Sequence, residues 1–89
     1  MYKIRLTRAA EQDLEDIWLY TRSEWGEIQA NHYLELIDNP TIGKARPDIK
    51  IGYRALQVQK HIIFYCLNAE FIDVIGILHG RMDAKRHLD

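Results

Sequence analysis

Cysteine is nearly absent from this chain of 89 residues, since Cys66 is its one thiol. An internal disulfide is therefore excluded, and we expect a cytoplasmic protein. Proline occurs twice and glycine five times, which leaves little room for long loops. No apolar run approaches the roughly 20 residues that a membrane-spanning helix needs, and we expect no signal peptide. The length predicts one domain, residues 1–89.

Net charge is also small, at −1, but the charges are segregated along the chain. Residues 9–35 contain seven acidic side chains and one basic one, whereas residues 44–60 contain five basic side chains and one acidic one. This pattern predicts one acidic and one basic face, with a pair of solvated faces as the simpler interpretation. A protein that coats nucleic acid without specificity is normally basic overall, so the balance argues against that class.

The first half of the chain is predicted to form a strand and two helices. Residues 2–6 alternate apolar and polar, which is typical of a half-buried strand. Thr7 is a suitable N-cap, and apolar positions with helical spacing continue to about residue 23. Trp25-Gly26 is interpreted as the break before a second helix over about residues 30–37, which Asn39-Pro40 ends.

The second half of the chain has strand patterns. Apolar positions alternate over residues 49–55, and residues 61–67 and 71–78 are rich in β-branched and aromatic side chains. Residues 38–48 are predicted to form the one long loop, and residues 79–89 are polar and aperiodic. The predicted order is β-α-α-β-β-β, an α+β fold with a helical hairpin packed on a small, largely antiparallel sheet.

Few residue patterns point to chemistry. The four histidines and Cys66 lack the spacing of a zinc site, and the glycines are too dispersed for a phosphate loop, so we expect no metal and no cofactor. What remains is a set of basic side chains near strand ends, of which Arg54, His61, His79 and Arg81 are examples. These could bind phosphate or assist RNA cleavage. Alternatively, Arg54 forms a structural ion pair and His61 simply ends a strand.

At this point the sequence resembles a known family, over nearly its whole length. The blocks that carry the resemblance are LTRAAEQDLEDI (6–17), WGE (25–27) with Ala30 and Tyr33-Leu34, NPTIGK (39–44), GYR (52–54), IIFY (62–65) and VIGILHGRMD (74–83). Each block is weak alone, but six in the right order resemble the ParE branch of the RelE/ParE toxin superfamily, the toxins of toxin–antitoxin modules. The resemblance implies the α+β fold that the pattern predicts.

The resemblance also implies a function. ParE-type toxins inhibit DNA gyrase by binding it, without catalysis, whereas RelE-type toxins cut mRNA on the ribosome with basic residues and a tyrosine or histidine near the C-terminus. This tail has His79 and Arg81 but no tyrosine, and the net charge is near neutral, so the resemblance favours the ParE type. The candidate gyrase-contacting residues are Arg54, His79, Arg81 and Met82.

An antitoxin is the second partner that the resemblance implies. In the family, the C-terminal segment of the antitoxin wraps the toxin, and the complex is expected to bind operator DNA through the antitoxin. The candidate antitoxin-binding residues are Leu14, Ile17, Trp18, Tyr33 and Leu34. Taken one by one, these residues also fit a hydrophobic core.

One departure from the family lies just before Asn39. The resemblance implies about ten further helical residues at this point, whereas in this chain Leu36-Ile37-Asp38 runs almost directly into Asn39-Pro40. The second helix is predicted to have only about three turns, about 16 Å. A compensated deletion, stabilisation by a partner, or a non-toxic homologue that still binds antitoxin would each fit. A ribosome-dependent mRNA endonuclease is the other alternative.

Overall fold

The structure, a computed structural model, describes residues 1–21 and 25–88, with the backbone alone for residues 18–21, 25 and 26. The fold is α+β, as predicted. Its elements are β1 (Lys3–Leu6), α1 (Arg8–Thr21), α2 (Trp25–Asp38), β2 (Lys44–Ala45), β3 (Tyr53–Val58), β4 (His61–Asn68), β5 (Phe71–His79) and α3 (Ala84–Leu88).

The five strands form one sheet in the order β1-β5-β4-β3-β2. Strand β1 pairs with β5 in parallel, with Ile4 opposite Ile72, and the other three pairings are antiparallel. The first and last strands of the chain are therefore neighbours. The sheet is largely antiparallel, as the sequence predicts, but its β1 edge is parallel.

Helices α1 and α2 cover one face of the sheet. Because side chains alternate along a strand, β4 directs Ile63 and Tyr65 to this face, where both are fully buried. Ile17 of α1 and Leu36 of α2 pack into the same core. The hydrophobic core therefore lies between the helices and the sheet.

The start of α1 confirms the N-cap predicted at Thr7. The Thr7 hydroxyl accepts a hydrogen bond from the Ala10 N–H at 3.1 Å, and it also lies 3.1 Å from the main-chain carbonyls of Val74 and Ile75. An N-cap hydroxyl satisfies an amide that has no partner within the helix. Thr7 thereby fixes the start of α1 beside β5.

The predicted break at Trp25-Gly26 is wrong, because both residues lie in α2. The connection between the helices falls on residues 22–24, outside the described residues, as does the predicted end of the first helix at residue 23. Helix α2 has 14 residues, about 21 Å, so it is longer than predicted. The apolar periodicity begins only at Ala30, so it did not reveal the first turn of α2. That turn contains Gly26, and a helix can include a glycine at a modest cost in stability.

Three predictions for the second half of the chain also need correction. Residues 49–52 form turns rather than the start of a strand, and Gly52 has a φ of +93°, which favours glycine. The predicted loop contains β2, which is only two residues long. The tail contains α3, because the Asp83 carboxylate accepts the Lys85 N–H at 3.1 Å and caps a short helix. None of the helices described here is long and apolar enough to cross a membrane.

Candidate functional site

Strand β5 has a bulge at its middle, next to the segment that contacts α1 and α3. Phe64 pairs with Gly76, but the next residue, Tyr65, pairs with Val74, so Ile75 is extra in β5. Beyond the bulge, the Ile77 N–H donates to Asp13 Oδ2 at 3.1 Å. A side chain of α1 thus holds the irregular part of β5 in place.

Helix α3 packs against the same place. His87 Nε2 lies 3.6 Å from the Asp13 Oδ1 atom, and a Cβ atom added to Gly76 would lie 2.7 Å from Leu88 Cδ2. Asp13 therefore contacts both β5 and α3, while Gly76 leaves the space that Leu88 occupies. Sequence reasoning missed Asp13, although an acidic residue on the apolar stripe with Ala10 and Ile17 was the available signal.

A cleft lies between α1 and the end of β5, with a volume of about 490 Å³. We call it the α1–β5 cleft. Its apolar lining comes from Ile17, Ile77, Leu78 and Met82, and its polar lining from Asp13, Asp16, Lys60, His61, His79 and His87. Met82 is 45% exposed, whereas Ile77 and Leu78 are buried. The cleft thus combines an apolar floor with a charged rim.

Two histidines face each other on that rim. His61 and His79 are directly opposite in the β4–β5 pairing, and their ring centroids lie 5.5 Å apart in an edge-to-face arrangement. Burial and the neighbouring His79 lower the pKa of His61. The His79 Nδ1 atom accepts the Arg81 N–H at 3.2 Å, so a neutral His79 ring carries its proton on Nε2.

The same segment contains three of the four candidate gyrase-contacting residues, since His79, Arg81 and Met82 surround the turn after β5. The Gly80 N–H donates to the Lys60 carbonyl at 2.9 Å and the Met82 N–H to the His79 carbonyl at 2.9 Å. The first bond holds the turn against the β3–β4 connection, and the second closes the turn itself. We call residues 79–82 the tail turn.

Arg54 lies away from the tail turn. It is near the N-terminal end of β3, whereas the tail turn contacts the connection that follows the C-terminal end of β3. Its Nη1 atom donates to the carbonyls of Gly43 at 2.7 Å and Thr41 at 3.2 Å. The Tyr65 hydroxyl accepts the Gly43 N–H at 2.9 Å and donates to the Pro40 carbonyl at 2.8 Å. Arg54 and Tyr65 together hold the loop of residues 39–43, so Arg54 has a structural role through main-chain carbonyls rather than through an acidic side chain.

The candidate antitoxin-binding residues lie in different environments. Leu14 and Tyr33 are half-buried and pack against the core, where Ile17 is only 8% exposed. Burial raises the pKa of the Tyr33 phenol to about 12. Leu34 is 61% exposed, and the side chain of Trp18 lies outside the described residues. Of the four described side chains, Leu34 is therefore the one available on the surface.

In the described part of the chain, no three histidine, cysteine, aspartate or glutamate side chains come together in a group that could hold a metal ion. Cys66 is half-buried on the sheet face opposite α1 and α2, and burial raises the pKa of its thiol. A thiol with a raised pKa is a poor nucleophile, so it adds no reactive group to the cleft.

Comparison with known proteins gives a family and two similar sequences. A sequence profile of the family described as "ParE toxin of type II toxin-antitoxin system, parDE" matches residues 4–84. Toxin ParE1 of Mycobacterium tuberculosis is 41% identical, with 93% of this chain and 94% of that protein covered. Toxin ParE1 of Caulobacter vibrioides is 34% identical, with 99% of each chain covered.

The lengths of these alignments carry further information. They extend over 92 and 96 residues, whereas this chain has 89. Both relatives therefore contain residues that have no counterpart here.

Among solved structures, the chromosomal ParDE system of P. aeruginosa contains a chain with a TM-score of 0.60 and 18% identity, which covers 89% of this chain and 96% of that one. At that identity the likeness shows the fold alone.

Proposed function

Because this chain belongs to the ParE toxin family of type II toxin–antitoxin systems, we propose that it inhibits DNA gyrase by binding it. A cognate antitoxin neutralises the toxin. The observation that carries this proposal is the family match over residues 4–84, which includes α1, α2 and the tail turn. A cytoplasmic location is part of the proposal, because DNA gyrase acts on chromosomal and plasmid DNA there.

Two features of the site support binding rather than catalysis. Arg54 is engaged in holding the loop of residues 39–43, away from the histidines of the cleft. Burial and the neighbouring His79 lower the pKa of His61, which disfavours its cationic form, so His61 is a poor source of the positive charge that a phosphate site needs. An mRNA endonuclease needs cationic groups and a general base or acid around one phosphate.

Gyrase inhibition is tested directly with purified proteins. The toxin is added to gyrase and relaxed plasmid, and supercoiling and cleaved DNA are measured. We expect supercoiling to fall and cleaved DNA to accumulate at micromolar toxin. No effect would contradict the proposal. New cuts in mRNA on translating ribosomes would instead support the endonuclease.

Growth after induction without antitoxin separates an active toxin from a non-toxic homologue. We expect growth arrest. Normal growth with retained antitoxin binding would identify the non-toxic homologue.

The tail turn is the proposed gyrase-contacting segment. We expect Arg81→Ala and Met82→Ala to weaken toxicity without loss of antitoxin binding. Ile42→Ala is a matched control for Met82→Ala, because Ile42 is 43% exposed and lies in the loop of residues 39–43. Full toxicity of both tail variants would show that gyrase binds elsewhere.

Antitoxin binding is proposed on α2, at Leu34. An exposed leucine on a helix is suited to the hydrophobic centre of a protein interface. Leu34→Asp would place a charge there, and we expect weaker complex formation in a titration with the purified antitoxin. Unchanged affinity would exclude Leu34 from the interface. Operator DNA would be bound through the antitoxin in this complex.

A further inference from the structure

We propose that the β3–β4 connection and the tail turn together form the docking site for an acidic segment of gyrase. The site is a pocket of about 460 Å³, which we call the basic pocket, lined by Gln57, Lys60, His79, Gly80 and Arg81. This inference rests on the proposed function, because it assigns a place and a chemistry to the gyrase contact.

The formally charged side chains of the basic pocket are both cations. Lys60 and Arg81 are exposed, and no carboxylate is among the residues that line the pocket. In the described part of the chain, neither side chain forms a hydrogen bond or an ion pair with another residue, whereas Arg46 is paired with Asp48 at 2.9 Å. Together the two cations give the pocket a positive potential, which attracts a carboxylate of a partner.

Hydrogen bonds fix the backbone on which both cations are placed. Gln59 and Lys60 form the two-residue connection between β3 and β4, and the Gln57 side-chain amide donates to the Gln59 carbonyl at 2.6 Å. The Gly80 N–H donates to the Lys60 carbonyl at 2.9 Å, which ties this connection to the tail turn. The backbone at Lys60 and Arg81 is therefore ordered before a partner binds, and less conformational entropy is lost on docking.

His79 adds a donor to the two cations. Its Nδ1 atom accepts the Arg81 N–H at 3.2 Å, which leaves Nε2–H as the donor of the neutral ring. A carboxylate has two oxygens and accepts several hydrogen bonds at once. An ammonium, a guanidinium and an imidazole N–H in one pocket are therefore suited to an aspartate or glutamate side chain.

The surroundings favour a short acidic segment over a nucleic acid. Lys60 and His79 also line the α1–β5 cleft, whose lining includes the carboxylates of Asp13 and Asp16. A DNA duplex has one negative charge per about 1.7 Å of its axis, so the phosphates next to a docked one would approach these carboxylates. A single acidic side chain occupies the basic pocket without that repulsion.

The basic pocket is separate from the proposed antitoxin contact. Leu34 of α2 does not line the pocket, whereas His79 and Arg81 of the tail turn do. The two partners would then use different surfaces of the toxin, so single substitutions can distinguish them.

The test reverses each charge in turn. Lys60→Glu and Arg81→Glu replace an attraction with a repulsion, and each is expected to raise two quantities about tenfold: the dissociation constant for DNA-free gyrase and the toxin concentration for half-inhibition of supercoiling. Lys60→Arg keeps the charge and should stay within about twofold of the parent. Lys3→Glu is the matched control, because Lys3 is exposed and pairs with Phe71, at the opposite end of β5 from His79. Antitoxin affinity is measured in parallel to show that each variant is folded.

Weaker gyrase binding and weaker inhibition by both reversal variants, with retained antitoxin affinity, supports the inference. Parent-like binding to DNA-free gyrase by either variant overturns it, and weakened inhibition in that case would mean that the pocket contacts DNA. An equal loss in Lys60→Arg or Lys3→Glu overturns it, because the charge of the pocket would not be the cause.

Loss of antitoxin affinity in the reversal variants also overturns the inference, because the pocket would then belong to the antitoxin or to the fold. In each of these cases an active parent toxin leaves the proposed function in place. A parent toxin that does not inhibit gyrase contradicts the proposed function itself, and with it this inference.

Discussion

Tyr65 shows how one hydroxyl group organises a loop. Its ring is fully buried, and its oxygen bonds the Gly43 N–H and the Pro40 carbonyl. Tyr65→Phe would leave both main-chain groups without this partner, at a cost of about 1–3 kcal/mol. We expect a lower free energy of unfolding in urea denaturation by about that amount.

Tyr53→Phe serves as the control for this change. Tyr53 is half-buried on the opposite face of the sheet, where the same substitution leaves the loop of residues 39–43 intact. Equal stability of Tyr65→Phe and Tyr53→Phe would mean that the loop does not depend on the buried hydroxyl.

His61 makes stability depend on pH. Burial and His79 lower its pKa in the folded state, so the unfolded chain binds the proton more readily. The contribution of His61 to stability is fully present above its unfolded pKa of about 6.5 and is lost as pH falls through the lower folded value. We expect the urea midpoint to decrease between about pH 7 and pH 5, and His61→Gln to flatten this decrease. An identical decrease in the variant would refute the assignment to His61.

Individual residues were predictable where the interaction is local in sequence. Thr7 was recognised as an N-cap because its partner, the Ala10 amide, is three residues away. Asp13 was not recognised, because its role depends on the Ile77 amide of β5, which is distant in sequence. Arg54 was grouped with His79 and Arg81 as a gyrase-contacting candidate because its basic side chain is visible in sequence, whereas its carbonyl partners are not.

At the scale of elements, α3 and β5 are coupled through Gly76. A Cβ at this position would lie 2.7 Å from Leu88 Cδ2 and 3.2 Å from Asp13 Oδ2. Gly76→Ala is therefore expected to displace the flexible end of the Leu88 side chain and to lower the free energy of unfolding by about 1 kcal/mol, the lower end of the usual cost of overpacking. The cost should be partly relieved in the Gly76→Ala/Leu88→Ala double variant, since the clash is then removed.

Gly80→Ala is the matched control for Gly76→Ala. A Cβ there would lie 3.6 Å from the Lys60 carbonyl oxygen, an ordinary contact, so the change in stability should stay within about 0.5 kcal/mol. Urea denaturation of the parent and of the four variants, Gly76→Ala, Leu88→Ala, the double variant and Gly80→Ala, measures all these values. Additive losses from Gly76→Ala and Leu88→Ala would contradict the coupling of α3 to β5.

The elements that the sequence predicts are those with enough residues to show a period. Helix α1 and strands β4 and β5 have long patterns, and all three were found. Strand β2 has two residues and α3 has five, which is too short for any periodicity. Residues 49–55 alternate like a strand, but β3 begins only at Tyr53. Before it, the Ile49 N–H donates to the Arg46 carbonyl in a turn, and Gly52 has a positive φ.

At the scale of the whole molecule, partner binding is expected to compensate for small size. The alignments with both ParE1 relatives are longer than this chain, which supports a shortfall in length, and its placement just before Asn39 stays a prediction. A chain of 89 residues has limited surface to bury. A partner that binds only the folded state adds to stability in proportion to the logarithm of its concentration.

We therefore expect antitoxin at 100 times its dissociation constant to raise the free energy of unfolding by about 2.7 kcal/mol. Urea denaturation of the toxin with and without antitoxin measures this gain. The Leu34→Asp variant should gain less at the same antitoxin concentration. A toxin whose stability does not respond to antitoxin would contradict binding to the folded chain.

The parallel pairing of β1 with β5 has a consequence for synthesis. Strand β1 leaves the ribosome well before its partner residues, Phe71 to Val74, which lie 68 positions further along the chain. The nascent chain therefore holds β1 without its sheet partner until these residues have emerged, and long-range pairing of this kind is slow to form. The Thr7 hydroxyl cannot contact the carbonyls of Val74 and Ile75 before that point, so the anchor at the start of α1 forms late.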